Sequence, residues 1–405
     1  VIVLDRLPLA PGLVLLVADE GDGVPRPVPW VVDEDRRAVA GDGAARALVC
    51  LLRGGTRAIG PFAVTAWHLE AADGERSFGV DQTNESVVVG ERAVVKWLRA
   101  AEPGPHPAPG ILDALQRQRF DGVPRPWGLL EWRAAGDEAP RLLATVDTLL
   151  AGAQDGWTWA VADLRAAVLT GSTDGVAETG HRLGDLVGRL HAALAADGIS
   201  GVSAATPDDL AAWEAGADRD LDHALEVTSG AAHEVLAGRA EAVRAGTRVS
   251  RTLVGSPLIR VHGDLHVGQV LRAGSGAGAT YVVTDFEGNP VVPPDERLLP
   301  QPPALDVAGL AQSIQHAALV LRRHEPERPR DLVQAAADAC ESAFLASYAA
   351  TVGALGHARL VQPTLVAGFR LRQVCREFSY AATHLPRWSY VPEAALPALV
   401  PLESP

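Results

Sequence analysis

From residue 1 to about residue 90, short Val-, Leu- and Trp-rich runs alternate with the turn dipeptides Asp22-Gly23, Asp42-Gly43 and Asp73-Gly74. Period-two apolar runs between such dipeptides are the pattern of consecutive hairpins, so a β-rich module is expected there. Strands continue over residues 86–150, broken by one helix at 111–119 that follows the Pro-rich stretch 103–109. Beyond Trp157 the apolar spacing becomes helical at 161–169, 181–196, 207–245 with breaks, 307–322, 330–351 and 363–384. Short apolar runs at 258–261, 270–271 and 281–284 predict strands inside this helical half. Residues 288–305 are Pro-rich and predict an ordered loop. The chain shows no internal repeat.

Two of those short strands flank the string HGDLHVGQ (262–269), and the third runs into TYVVTDFEG, which carries Asp285. Aspartate in a tight loop, a carboxamide five residues on, and a second aspartate at a strand end suit ATP-dependent phosphoryl transfer to a hydroxyl. That reaction asks for positioning and charge neutralisation rather than covalent chemistry. Asp264 would take the acceptor proton, and Gln269 and Asp285 would offer Mg²⁺ the hard oxygen ligands it prefers. Either string alone could be a turn or a strand-end cap. The pair together points to a small-molecule kinase.

Composition narrows the partners. With 405 residues and 47% hydrophobic content the chain can bury a large core. Lys+Arg number 36 against 50 Asp+Glu, a net charge of −14 that disfavours nucleic acid or an anionic membrane surface. Cys50, Cys340 and Cys375 lie far apart with no zinc-site spacing, which fits a reducing compartment. The apolar run at 13–18 is too short to span a bilayer, and no basic region precedes it. A cytoplasmic monomer is expected.

A kinase also needs a cation for the nucleotide phosphates. In AVVKWL (93–98) Lys96 alone interrupts an apolar run; it is either that cation or an edge-strand lysine facing water. Asp113, on the following helix, is its candidate partner, and GVDQTNESVVVG (79–90) is a polar turn able to cover phosphates. LLATVDTLL (142–150) enters the linker where kinases dock adenine through backbone atoms, which makes Asp147, Thr148 and Leu149 hinge candidates. His191 reads as a packed structural histidine.

The last helix is the most distinctive. In QVCREFSYAATHLPRW (373–388), Gln373, Arg376, Glu377, Tyr380 and His384 fall on one stripe, and Val374, Cys375, Phe378, Ala381, Ala382 and Leu385 on the other. An ordinary amphipathic helix has such faces, but this polar stripe mixes an amide, a guanidinium, a carboxylate, a phenol and an imidazole, with Trp388 following. Sugar sites use that mixture.

HGDLHVGQ, TDFEGNP and LDVAGLAQS resemble the maltokinase branch of the aminoglycoside-phosphotransferase-like kinases. The resemblance implies an α+β, two-lobed protein-kinase-like fold: a β-rich cap (1–90), an intermediate subdomain with the phosphate-binding lysine and hinge (91–151), and a large helical lobe for catalysis and acceptor binding (152–405). It also implies that Asp306 braces the catalytic loop from a helix start. Maltokinases carry a motif similar to YExxYExxxRPxW, and Ala381 stands where its second glutamate would be. CREFSYAATHLPRW instead resembles the signature of actinobacterial glucosamine kinases, which implies ATP-dependent phosphorylation of the glucosamine 6-hydroxyl. A protonated amine on carbon 2 wants a carboxylate, and Glu377 is the candidate. Maltokinase, aminoglycoside phosphotransferase and a nucleotide-binding pseudokinase remain the alternatives.

Overall fold

In the computed structural model, which describes residues 1–78, 85–199 and 201–401, the chain forms two units. One holds Val1–Ala153, Ala273–Gly278 and Val282–Leu299; the other holds Gln154–Arg272, Ala279–Tyr281 and the chain from Pro300 onward. The α+β class expected from the sequence is borne out, with strands concentrated in the first unit and helices in the second.

The first hairpins form as an antiparallel meander, β1 (Ile2–Ala10), β2 (Leu13–Asp19), β3 (Pro25–Val31) and β4 (Arg36–Arg37). Strand β2 is apolar on both faces because both are covered. Leu15 and Val17 enter the main core of the unit, while Leu16 and Ala18 pack with Val28 and Trp30.

Asp42-Gly43, expected to turn a hairpin, instead leads into a helix, α1 (Ala44–Leu52). Its Ala and Leu content favours helix, and Ala45, Leu48, Val49 and Leu52 recur at helical spacing and are all buried. Strands β5 (Arg57–Ile59), β6 (Phe62–Ala66), β7 (Glu75–Ser77), β8 (Glu85–Val89) and β9 (Ala93–Trp97) follow. Then come α2 (Pro107–Arg117), β10 (Pro126–Trp132) and β11 (Arg141–Thr148). These strands make a second antiparallel sheet in the order β5-β6-β10-β11-β9-β8-β7. Trp97, Trp127, Trp132 and Phe62 fill the core between this sheet and α1.

The second unit is helical, with α3 (Gly156–Thr170), α4 (Asp174–Ala195), α5 (Pro207–Val227), α6 (Gly230–Ala237) and α7 (Ala240–Gly246), then α8 (Ala304–His324), α9 (Arg330–Ala354), α10 (Pro363–Thr383) and α11 (Tyr390–Leu399). Helix α5 starts on a capping box between Thr206 and Asp209, with Pro207 in its first turn. Gly180, Gly184 and Gly188 form a stripe on α4 at four-residue spacing. A Cβ at the first two would run into the carbonyls of Cys340 and Phe344, and one at the third into the Thr351 side chain, so only glycine allows α9 to approach this closely.

Helix α8 is long and apolar enough to cross a membrane by length and composition, but 78% of its apolar window is buried inside the structure. Helix α10 packs Leu371, Val374, Cys375 and Phe378 against Leu221 and Ala224 of α5, Leu236 of α6, Val243 of α7 and Leu396 of α11. Its opposite face is left for other work.

Candidate functional site

In the first unit, Lys96 lies on β9, between β11 and β8. The edge-strand alternative therefore falls. Strand alternation sends Ala93, Val95 and Trp97 into the core and Lys96 to the other face. There its Nζ is 2.8 Å from Asp285 Oδ1 and 2.5 Å from Glu287 Oε1. Burial works to lower the Lys96 pKa, but the two carboxylates outweigh it and hold the ammonium charged. Glu287 is pushed up by its burial. Asp285 takes a left-handed φ of 70°, a conformation aspartate tolerates better than most residues and one that collects at functional sites.

Asp113 does not meet Lys96. It pairs with Arg117 one turn along the exposed face of α2, and its Oδ1 is 3.4 Å from Trp67 Nε1. An i,i+4 partner on its own helix is nearer than any strand residue. Of the hinge candidates, Asp147 is pushed up to about 7 by burial, with the Lys96 charge opposing. Thr148 N–H donates to Arg125 O (2.9 Å) and Leu149 N–H to Arg92 O (2.7 Å). An adenine docking at this segment would have to use other backbone atoms. His106, which caps α2 by accepting the Ala108 N–H, is pushed down to about 4 by burial and by Arg297 and Lys96. In the expected phosphate-covering turn, residues 79–84 lie outside the described residues.

In the second unit the HGD loop is held from below by Asp306. This residue sits in the first turn of α8 rather than at its N-cap. It accepts the His262 N–H on Oδ2 (2.7 Å) and the Gly263 N–H on Oδ1 (2.9 Å). His191 Nε2 lies 3.1 Å from Oδ2, and its other nitrogen is 3.0 Å from the Tyr348 hydroxyl. Burial raises the Asp306 pKa, but these donors win and hold the carboxyl below its usual range. His191 is thus buried and structural, as its sequence setting indicated, and it is part of the brace. Ser313 Oγ accepts the Val267 N–H (2.9 Å). Gly309 lets α8 pass beneath the loop, where a Cβ would lie 2.5 Å from Leu265 O.

The braced loop presents Asp264 to a cavity of about 110 Å³, also lined by Trp157, His266, Ser313, His316, Gln373, Arg376, Glu377 and Trp388. Trp157 stacks on His266 and meets Trp388 edge to face, giving the pocket an aromatic wall. Gln269 ends the short 3-10 turn Val267–Gln269 after the loop. It belongs to this unit, and Asp285 to the other.

Glu377 is the unusual member. Its Oε1 accepts from Gln373 Nε2 at 3.3 Å, while its buried Oε2 makes no hydrogen bond. His316 Nε2 is 3.3 Å from that oxygen but is turned to another partner. Arg370 Nε donates to Gln312 Oε1 (2.9 Å), which directs the Gln312 amide NH₂ to His316 Nε2 at 2.9 Å. His316 Nε2 is therefore an acceptor with no proton to give Glu377. Burial, Arg370 and His266 push His316 down to about 3, and burial pushes Glu377 up to about 8.

The polar stripe of the last helix divides along its length. Gln373, Arg376, Glu377 and the following Trp388 line the cavity. Tyr380 is 46% exposed and meets the His384 ring at a tilt of 49°, and neither lines it. Both lie on the stripe by rotation, but Tyr380 is about 10 Å further along the axis than Gln373, beyond the cavity. Trp157, His266, His316 and Glu287 join the sites without having been singled out from the sequence. Glu287 was visible two residues after Asp285, and His316 forms an i,i+4 polar pair with Gln312 on α8.

No protein-family model matches the chain. A glucosamine kinase of Mycolicibacterium smegmatis is 43% identical over 98% of both chains, and one of Streptacidiphilus jiangxiensis is 41% identical over 98% of this chain and 90% of the relative. Among solved structures, a glucosamine kinase in complex with glucosamine, ADP and inorganic phosphate is 39% identical, with a TM-score of 0.83 over 98% of this chain and 93% of that one. Another crystal form of a glucosamine kinase gives 38% identity and a TM-score of 0.86 over 98% and 94%.

Proposed function

Since the chain belongs to the glucosamine kinase family, we propose that it transfers the γ-phosphoryl group of ATP to the 6-hydroxyl of glucosamine, giving glucosamine 6-phosphate and ADP. The observation that carries the acceptor reading is Glu377, whose buried, unbonded Oε2 shares a cavity with Asp264. A buried carboxylate oxygen without a donor is costly unless a ligand supplies one. The ammonium on carbon 2 of glucosamine does so, and it favours the ionised form of a carboxyl that burial otherwise keeps protonated. Gln373, Arg376 and His266 offer donors and acceptors to hydroxyls, and Trp157 and Trp388 offer apolar faces to the ring.

Asp264 accepts the proton of the attacking hydroxyl as the phosphoryl group arrives. The brace from Asp306 fixes its backbone, so little reorganisation is left for the reaction itself. Lys96 holds the nucleotide phosphates, and adenine docks beside residues 147–149. Asp285, Glu287 and the Gln269 amide oxygen are donors of the hard type that Mg²⁺ takes. With one carboxylate each, Asp285 and Glu287 suit an ion held by one or two carboxylates and substrate phosphates. When bound, Mg²⁺ neutralises charge on those phosphates. We place the enzyme in the cytoplasm as a monomer.

A coupled ADP-release assay over glucosamine, glucose, maltose and a kanamycin-type aminoglycoside tests the reading, with NMR of the product locating the phosphate. Glucosamine should give the highest kcat/KM and a 6-phosphate. Faster turnover of maltose or the aminoglycoside would replace the acceptor assignment.

A further inference from the structure

Arg376 is the one arginine or lysine among the described residues that line the acceptor cavity, an odd neighbour for a cationic sugar. Behind it stands Asp220, on α5. One oxygen of Asp220, Oδ2, accepts the Nε–H of Arg376 at 2.8 Å and that of Arg372 at 2.5 Å. All three side chains are mostly buried, at 14% exposure for Arg376, 17% for Arg372 and 23% for Asp220. Arg372, one turn back on α10, lines a separate cavity with Trp213, Phe369 and Arg248. The other acids on this part of α5 have their own partners: Asp222 pairs with Arg244, and Asp218 with Arg248.

We propose that Asp220 is a specificity-determining positioning residue, neutralising and aiming Arg376 so that a pocket containing a guanidinium accepts an ammonium-bearing sugar in preference to its neutral isostere. Asp220 does not line the acceptor cavity and acts through Arg376. Clasped by its Nε, Arg376 keeps its outer N–H groups for sugar hydroxyls while its charge is answered from behind. Without Asp220, two guanidiniums less than a side-chain length apart repel each other, and the charge of Arg376 acts on the bound amine across a poorly screened interior. The inference rests on the glucosamine reading given above.

The test is calorimetric titration of the full-length protein with glucosamine and with glucose, at about pH 6.5 where an amine is protonated. The wild-type titration reads the acceptor assignment; the ratio of the two dissociation constants in each variant, relative to wild type, reads the role of Asp220. Asp220→Asn should weaken glucosamine by about tenfold more than it weakens glucose. Adding Arg376→Gln to that variant removes the unanswered charge and should recover most of the lost discrimination. Arg372→Gln, which leaves the carboxylate to Arg376, should keep the ratio within about twofold, and this arm stands even if Asp220→Asn folds poorly. Equal weakening of both sugars by Asp220→Asn would reduce Asp220 to a packing role and overturn the proposal. So would a collapse of the ratio in Arg372→Gln.

Discussion

Asp306, fully buried, and Glu377, mostly buried with its Oε2 shut away from solvent, are two carboxylates in one helical unit, and they have opposite fates. Asp306 receives two backbone N–H groups and a histidine nitrogen, and its charge is held below the usual carboxylate range. Glu377 receives one long contact from Gln373, has an oxygen with no hydrogen bond, and is pushed up to about 8 by burial. Burial alone does not separate them. The donors do: Asp306 is satisfied from within the fold, while Glu377 keeps an unmet acceptor, which is what its proposed role as receptor for the sugar ammonium rests on.

The largest expected effect concerns the residue that lies between them in function. Asp264→Asn should lower kcat by about 10²–10⁴ while glucosamine binding changes by less than about threefold; unaltered turnover would remove Asp264 from catalysis. Next comes the brace. Asp306→Ala strands two backbone N–H groups and His191, and should cost about 3–5 kcal/mol in denaturant unfolding. A loss below about 1 kcal/mol would show that the loop holds itself.

Glu377→Gln should raise the glucosamine dissociation constant by about 10–100-fold with much less effect on glucose. Comparable losses for both sugars would deny it the amine. The smallest effect is in pH. Because the folded pKa of Glu377 is raised from the usual 4.5 to about 8, its contribution to stability is complete below about 4.5 and is lost as pH climbs through 8. Glu377→Gln should therefore unfold at a higher temperature than wild type near pH 8, and the gap should close by pH 5. Asp306 has the reverse sign: its contribution is present above the usual 3.8 and is lost as pH falls through its depressed folded value.

Much of this arrangement was legible in the chain. Strings such as HGDLHVGQ and TYVVTDFEG carry loop, strand and chemistry together, and Lys96 stood out because a charge inside an apolar strand needs a reason. Local reading failed where the answer depended on what comes next or on how far a helix extends. Asp42-Gly43 looks the same before a strand as before α1, and only the Ala- and Leu-rich sequence beyond it decides. Tyr380 and His384 share the polar stripe of α10 by rotation, but a helical wheel carries no depth. The partner of Lys96 lies 189 residues further on, whereas Asp113 was nearer in sequence and already engaged by Arg117. The Arg370–Gln312–His316 relay that leaves Glu377 Oε2 without a donor joins two helices, and no spacing rule reports it.

Cys375 stands on the same helix as Glu377 but faces the other way, into the packing against α5, with burial pushing its thiol up to about 12. Cys50, on α1, is exposed. The natural chain thus comes with one fast thiol and two slow ones for any alkylating reagent, the second slow one being the buried Cys340 on α9. The fast one counts molecules, and Cys375, told apart from Cys340 by peptide mapping, times how often α10 lifts from its bed. If Gln373, Arg376 and Glu377 hold the sugar as proposed, binding should lengthen that second clock and leave the first untouched, so occupancy of the acceptor pocket can be read without turnover and without an engineered cysteine.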